Sequence, residues 1–326
     1  MKINVLNKSQ IEEVFTMKDA IVASKDALSI YSSGGSDVPL RINLDVEKAA
    51  GQSLYMPGYA ADADALGVKI VSVYPNNAEK GLIAVPATMV LLDADTGQVC
   101  ALLDGTHLTA VRTGAVAGAA TDVLARPNSK IFALFGAGGQ AEGQLEAVLA
   151  VRPIEEVRIF DLNFELATEF AAKMAEKFGV NIVAVDDSDD AIIDADIISC
   201  ATTASQPVFN GELVKKGCHI NGVGSFMTSM QEVDEFIATN ARVVVDTRDG
   251  ALNESGDLDI PIKNGNLDAT TIVELGEIIN GVAVGRQNED EITFFKSTGS
   301  AVLDVVTARR IYEKALDLEI GTFLDL

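Results

Sequence analysis

The chain has 326 residues, with 25 Lys and Arg against 48 Asp and Glu, for a formal charge of −23. At roughly 100–200 residues per domain, that length suggests about two domains; 48% hydrophobic and 22% charged residues exclude a disordered chain. So acidic a chain repels phosphate backbones, which excludes nucleic acid as a partner but leaves room for a small anionic substrate in a locally cationic pocket.

The segment MKINVLNKSQIEEVF lacks a signal peptide's apolar core, and no apolar run approaches the ~18 residues of a membrane span. The expectation is a cytoplasmic protein. Cys100, Cys200 and Cys218 are odd in number and widely spaced, and His107 and His219 are too far apart for a helical ligand pair. Neither a disulfide framework nor a metal site is expected.

Two capping patterns open the chain, Ser9 to Glu12 and Thr16 to Asp19. Each has a hydroxyl and a carboxylate placed to satisfy orphan amides. The second predicts a helix to Tyr31 that stops at Ser32-Ser33-Gly34-Gly35. From about Leu40 to Leu103 the runs QSLYMPGY, GVKIVSVYP, VPATMVLLD and QVCALLD read as strands, with a hairpin turn at DADTG. This is a mostly antiparallel α+β segment. A small-residue helix follows over Leu108–Leu124, where Gly114 and Gly118 serve close packing.

After Arg126-Pro127-Asn128 the pattern alternates. KIFALF, VRIF, NIVAV, DIISCAT, CHINGVG and ARVVVDT read as strands, with helices over Gln140–Val151 and Asn163–Phe178 and a short one near Ser188–Ile193. Such alternation predicts a doubly wound, mostly parallel Rossmann-type sheet. Gly299–Leu318 reads as one closing helix, with Val302, Val305, Val306 and Ile311 near helical spacing.

The segment Gly136-Ala137-Gly138-Gly139-Gln140-Ala141 is G-x-G-x-x-A between a strand and a helix. Its first glycine permits the tight turn, its second lets a pyrophosphate approach the backbone, and the small residue at the end allows helix–strand contact. The helix N-terminus adds free amides and a positive dipole end. Asp161 ends the next strand, 25 residues after Gly136, where an acid accepts bonds from the adenosine ribose. A carboxylate there repels a 2′-phosphate, which favours NAD(H) over NADP(H).

Several segments together resemble the ornithine cyclodeaminase/mu-crystallin family: Pro39-Leu40-Arg41, Gly67-Val68-Lys69, DGTHLTAVRTGAVAGAAT around Arg112, GAGGQA, and KSTGSAVLDVVTARRIYEKA from Lys296. The resemblance spans nearly the whole chain. It implies a homodimer with a discontinuous substrate-binding and dimerisation domain, residues 1–122 with 297–326, and an NAD-binding domain, residues 123–296. It places Arg41, Lys69 and Arg112 around a substrate carboxylate, with Lys69 able also to move a proton; Arg offers a fork and Lys a mobile point charge. It further puts Thr88 and Thr113 near the nicotinamide or phosphates, Thr202 and Val223-Gly224-Ser225 along the dinucleotide, and Ser297 and Thr298 beside nicotinamide and substrate. His107 receives only a packing or hydrogen-bonding role. Tyr55, Met56, Phe226 and Met227 stand as either pocket lining or core.

One departure bears on the reaction. In ornithine cyclodeaminase itself, the loop after the CHING strand carries an acid/base Asp, a position that aligns with Phe226 here. A phenyl ring cannot relay a proton, and general acid–base help is typically worth ~10²–10⁴ in rate. What remains is a hydride carrier, a carboxylate clamp and one lysine, enough to reduce a preformed cyclic imino acid to proline or pipecolate. Ornithine cyclodeaminase activity, alanine-dehydrogenase-like deamination and non-catalytic dinucleotide-dependent binding are the alternatives. A shift in this loop would bring Glu232 or Asp234 into the acid's place.

Overall fold

The chain begins with a strand rather than a helix: β1 (Lys2–Leu6) precedes α1 (Lys8–Val14). The cap of α1 is Asn7, not Ser9. Its side chain accepts from Gln10 N while the Gln10 side chain accepts from Asn7 N, both at 3.0 Å. The second box forms as the sequence predicts, with Thr16 and Asp19 bonding reciprocally at the start of α2 (Met17–Ser32). Short β2 (Ser36–Asp37) and β3 (Ile42–Val46) follow, then β4 (Gly51–Ala60), β5 (Ala65–Val73), β6 (Ala87–Leu92), β7 (Val99–Asp104) and α3 (Gly105–Leu124). The DADTG turn joins β6 to β7: Asp93 Oδ1 accepts from Thr96 N at 2.8 Å and Gly97 takes φ +68°, a left-handed conformation that suits glycine.

The alternating stretch then gives β8 (Ile131–Phe135), α4 (Ala141–Val151), β9 (Glu156–Phe160), α5 (Phe164–Phe178), β10 (Asn181–Ala184), α6 (Ser188–Ile192), β11 (Ile197–Cys200) and β12 (His219–Gly222). Next come α7 (Glu235–Asn240), β13 (Arg242–Val245), α8 (Arg248–Glu254), α9 (Gly256–Lys263), β14 (Val273–Glu274), α10 (Leu275–Ile279) and β15 (Thr293–Lys296). The chain closes with α11 (Ala301–Asp317) and β16 (Thr322–Asp325).

This structure, a computed structural model describing residues 2–326, divides into two units. One runs up to Arg112 and resumes over Ser300–Leu326; the other is Thr113–Gly299. The boundary falls inside α3. No described helix is long and apolar enough to cross a membrane.

In the first unit the strands form one sheet in the order β16-β1-β7-β6-β5-β4-β2, with β3 also on β4. Among the described residues of this unit, only β1 with β7 is a parallel pair. Along β5, Ala65, Gly67, Lys69 and Val71 are the buried alternation, so the two-residue period carries a lysine into an inward-facing position. Helix α11 packs against β4, β5 and β6 and alongside α2. Its expected apolar residues Val302, Val305, Val306 and Ile311 are fully buried.

In the second unit every strand pairing is parallel, in the order β10-β9-β8-β11-β12-β15-β13-β14. The first strand of this unit lies inside the sheet, with β9 and β11 on opposite sides. That reversal is the topological switch point at which α/β sheets bind ligands. Alternate residues of β8 feed two cores, Ala133 and Phe135 on one face and Phe132 and Leu134 on the other. Gly114 of α3 lies against α4; a Cβ there would meet the Gly143 carbonyl oxygen at 2.3 Å, so the glycine serves backbone contact rather than chemistry. Beneath the sheet's strand ends lies a polar ladder. His219 joins Thr293 Oγ1 at 2.9 Å and Asn221 Oδ1 at 3.0 Å, and Asn221 Nδ2 donates to Thr121 Oγ1 and Ser199 Oγ.

Candidate active site

In the first unit, two of the three expected cations converge on one carboxylate. Lys69 Nζ lies 2.7 Å from Asp304 Oδ2, and Arg112 Nε lies 2.9 Å from Asp304 Oδ1. Lys69 is 1%, Asp304 0% and Arg112 6% exposed. The three come from β5, α11 and α3, while Lys69 is flanked across the sheet by Met56 and Met89. Met56 is therefore core. Burial pushes the Lys69 ammonium down from the usual 10.5 to about 7, helped by the positive charges of Arg112 and Arg41 and opposed by Asp304. Arg41, half-buried just before β3, thus acts electrostatically on the same lysine. A lysine near 7 exchanges a proton readily at neutral pH.

In the second unit the expected dinucleotide residues gather at the carboxyl ends of adjacent strands. Gly136 follows β8, Asp161 follows β9, Thr202 follows β11, Val223-Gly224-Ser225 follows β12, and Ser297-Thr298 follows β15. Gly136 takes φ +96° and a Cβ there would meet the Ala201 carbonyl oxygen at 2.8 Å, so only glycine fits this turn. Nothing stands within 4 Å of a Cβ built at Gly138 or Gly139, which leaves the backbone open to a phosphate. Ala141 opens α4 fully packed in the core, and the buried Gln140 Oε1 has no hydrogen-bond partner among the described residues. Asp161 accepts from Ala137 N through Oδ2 and from Asn163 N through Oδ1, both at 2.9 Å. It braces the glycine turn and stays partly exposed. An open glycine backbone, an unpartnered acceptor and an acid on the neighbouring strand fit a dinucleotide.

Several other expected residues are bonded to protein. Thr202 donates its N and Oγ1 to Glu232 Oε1 at 2.7 and 2.9 Å; Gly224 N and Ser225 N donate to Glu232 Oε2 at 2.8 and 3.0 Å. Ser225 is fully buried and its hydroxyl donates to the Met230 carbonyl at 2.9 Å, so its side chain is tied to protein. Ser297 Oγ donates to buried Asp246 Oδ2 at 2.6 Å, which also accepts from Gly299 N. Thr298 is buried with its Oγ1 over Gly250. Thr113 accepts through its carbonyl from Gln144 Nε2. Thr88 is exposed on β6, opposite Ile70 and Asp104.

The carboxylates weighed as replacements for the missing acid are occupied. Glu232 is fully buried under its four donors, and its backbone amide and that of Val233 donate to Asp257 Oδ1, while Asp257 Oδ2 lies 2.9 Å from buried Lys296 Nζ. Asp234 caps α7 and accepts from Ile237 N and Gly211 N. Phe226 is half-buried and Met227 exposed. The sequence gives Asp304 no role, although it closes the S-T-G-x-A-x-x-D run from Ser297; its further signal is a carboxylate between Leu303 and Val305 in an apolar helix face.

Residues 1–319 match the model of the ornithine cyclodeaminase/mu-crystallin family. The chain is 41% identical over 323 residues to a Delta(1)-pyrroline-2-carboxylate reductase of Bacillus cereus, covering 98% of this chain and 99% of that one. The Thermococcus litoralis Delta(1)-pyrroline-2-carboxylate reductase, solved in complex with NADH and L-proline, superposes with a TM-score of 0.94 at 45% identity, covering 98% of this chain and 99% of that one. An archaeal alanine dehydrogenase dimer with bound NAD superposes with a TM-score of 0.93 at 33% identity over the whole of both chains.

Proposed function

Because this chain belongs to the ornithine cyclodeaminase/mu-crystallin family, we propose that it is a nicotinamide-dependent reductase of a cyclic ketimine carboxylate, pyrroline-2-carboxylate or piperideine-2-carboxylate, giving L-proline or L-pipecolate. The observation that carries the reading is the buried Lys69–Asp304–Arg112 cluster, read with the occupied state of Glu232 and Asp234. One proton-exchanging lysine, with its carboxylate partner Asp304 held in ion pairs to Lys69 and Arg112, suits reduction of a ready-made C=N bond. A cyclodeaminase must also manage departure of ammonia.

The unit Thr113–Gly299 takes the dinucleotide and the other unit takes the substrate and forms a homodimer; the archaeal alanine dehydrogenase is a dimer with bound NAD. When bound, the dinucleotide supplies the hydride to the imine carbon. Arg112 and Arg41 hold the carboxylate, Arg by a planar fork, and Lys69 gives a proton to the imine nitrogen and regains one from solvent. The C=N bond becomes CH–NH, a two-electron reduction of the substrate that takes the hydride on carbon and the Lys69 proton on nitrogen. Asp161 favours NAD(H) over NADP(H) through repulsion of a 2′-phosphate. Three free cysteines, two of them buried, suit the cytoplasm.

Purified protein with pyrroline-2-carboxylate is expected to consume NADH, seen as loss of reduced-nicotinamide absorbance, with one proline formed per NADH and a slower rate with NADPH. Ammonia release from ornithine without net cofactor oxidation would overturn the assignment.

A further inference from the structure

The charge inventory around Lys69 is unequal. The groups that act on it are Arg112 from α3, Arg41 from the segment before β3 and Asp304 from α11, while its cross-strand neighbours Met56 and Met89 carry no charge. Two cations therefore oppose its ammonium and one anion supports it. Unpaired, a buried ammonium beside two guanidinium groups sheds its proton. Asp304 is itself fully buried in the first turns of α11. It divides its two oxygens between the acid and the clamp, Oδ2 to Lys69 and Oδ1 to Arg112 Nε.

We propose that Asp304 is a positioning residue for imine reduction, one carboxylate that keeps Lys69 loaded with its proton and anchors the Arg112 guanidinium. Both contacts are ion pairs, at Arg112 Nε and at Lys69 Nζ. The carboxylate thereby couples proton delivery to carboxylate capture. This rests on Lys69 being the proton donor. The pull of Asp304 is the contribution holding the lysine as high as about 7 against burial and two cations.

The test is the pH dependence of kcat/KM for imine reduction in Asp304→Asn, which keeps the shape and removes the charge. The descending limb is expected to move at least one pH unit to lower pH, with a roughly tenfold or greater loss at pH 8 largely recovered at pH 6. Asp304→Glu keeps the charge and is expected to keep the limb near its wild-type position, with a changed kcat. A folded Asp304→Asn whose limb does not move would overturn the proposal and leave Asp304 a helix anchor. Should Asp304→Asn fail to fold, Lys69→Met/Asp304→Asn answers instead. Removing the uncompensated ammonium is expected to restore a cooperative thermal transition, whereas a double variant no more stable than the single one contradicts charge balance. Lys69→Met alone separates the two ideas: if it retains the wild-type pH profile, the reading of Lys69 fails, whatever Asp304 does.

Discussion

Replacing Lys69 by Met removes the ammonium while roughly filling the space between Met56 and Met89. With the lysine at about 7, the wild-type enzyme holds it about half charged at pH 7 and about 1% charged at pH 9. Proton donation needs the charged form, so kcat/KM is expected to be flat below about pH 6 and to fall tenfold per unit above 7, about 100-fold lower at pH 9 than on the plateau. Lys69→Met is expected to lose ~10²–10⁴ of the plateau rate and the lysine-dependent limb with it. Its NADH affinity, read by quenching of cofactor fluorescence, is expected to stay unchanged. Steady-state rates across pH 5.5 to 9.5 in a constant-ionic-strength buffer supply the profile. A Lys69→Met variant with near-wild-type turnover, or one that keeps the same limb, would refute the reasoning.

Asp161→Asn removes the charge that repels a 2′-phosphate. The ratio of kcat/KM for NADH over NADPH is expected to fall by about tenfold or more, and an unchanged ratio would move discrimination elsewhere. His219 is neutral in the fold, pushed by burial from 6.5 to about 3. Because the unfolded chain takes up the proton first as pH falls, stability is expected to decline from about pH 6.5 downward, by about 2 kcal/mol at pH 5. Denaturant unfolding of wild type and His219→Gln across that range checks it: the variant's decline should be shallower, and parallel curves would count against the ladder as the cause.

The parallel-sheet unit is legible because its signals are local. The glycine turn, the acid on the next strand and the alternation of buried strands with helices each sit within a few residues. Strands that make no pattern of their own were not legible. β15 is four buried residues, TFFK, placed between β12 and β13 only by long-range pairing. β1 sits immediately before a helix cap that dominated the reading, and β16 is an exposed edge strand identifiable only through its pairing with β1. The Asn7 cap displaced Ser9 because Gln10, rather than Glu12, stood three residues after it. In the candidate site, the sequence offers Arg41, Lys69 and Arg112 as a set of cations. Asp304, the shared partner of Lys69 and Arg112, is not picked out with them, because 235 residues of sequence separate it from Lys69 and a helix face gives no sign of what faces it. Ser225 and Thr202 lie on loops after β12 and β11, yet their side chains bind protein. A sequence gives the loop before it gives the direction of a hydroxyl.

Direct hydride transfer onto a preformed imine leaves an isotopic trace. With [4-²H]NADH of the transferring face and pyrroline-2-carboxylate, one deuterium is expected at Cα of each proline formed, with an equal amount of NAD⁺ and no ammonia. Proline made from ornithine with ammonia release, no net change in the cofactor pool and no deuterium transfer to added imine would contradict it.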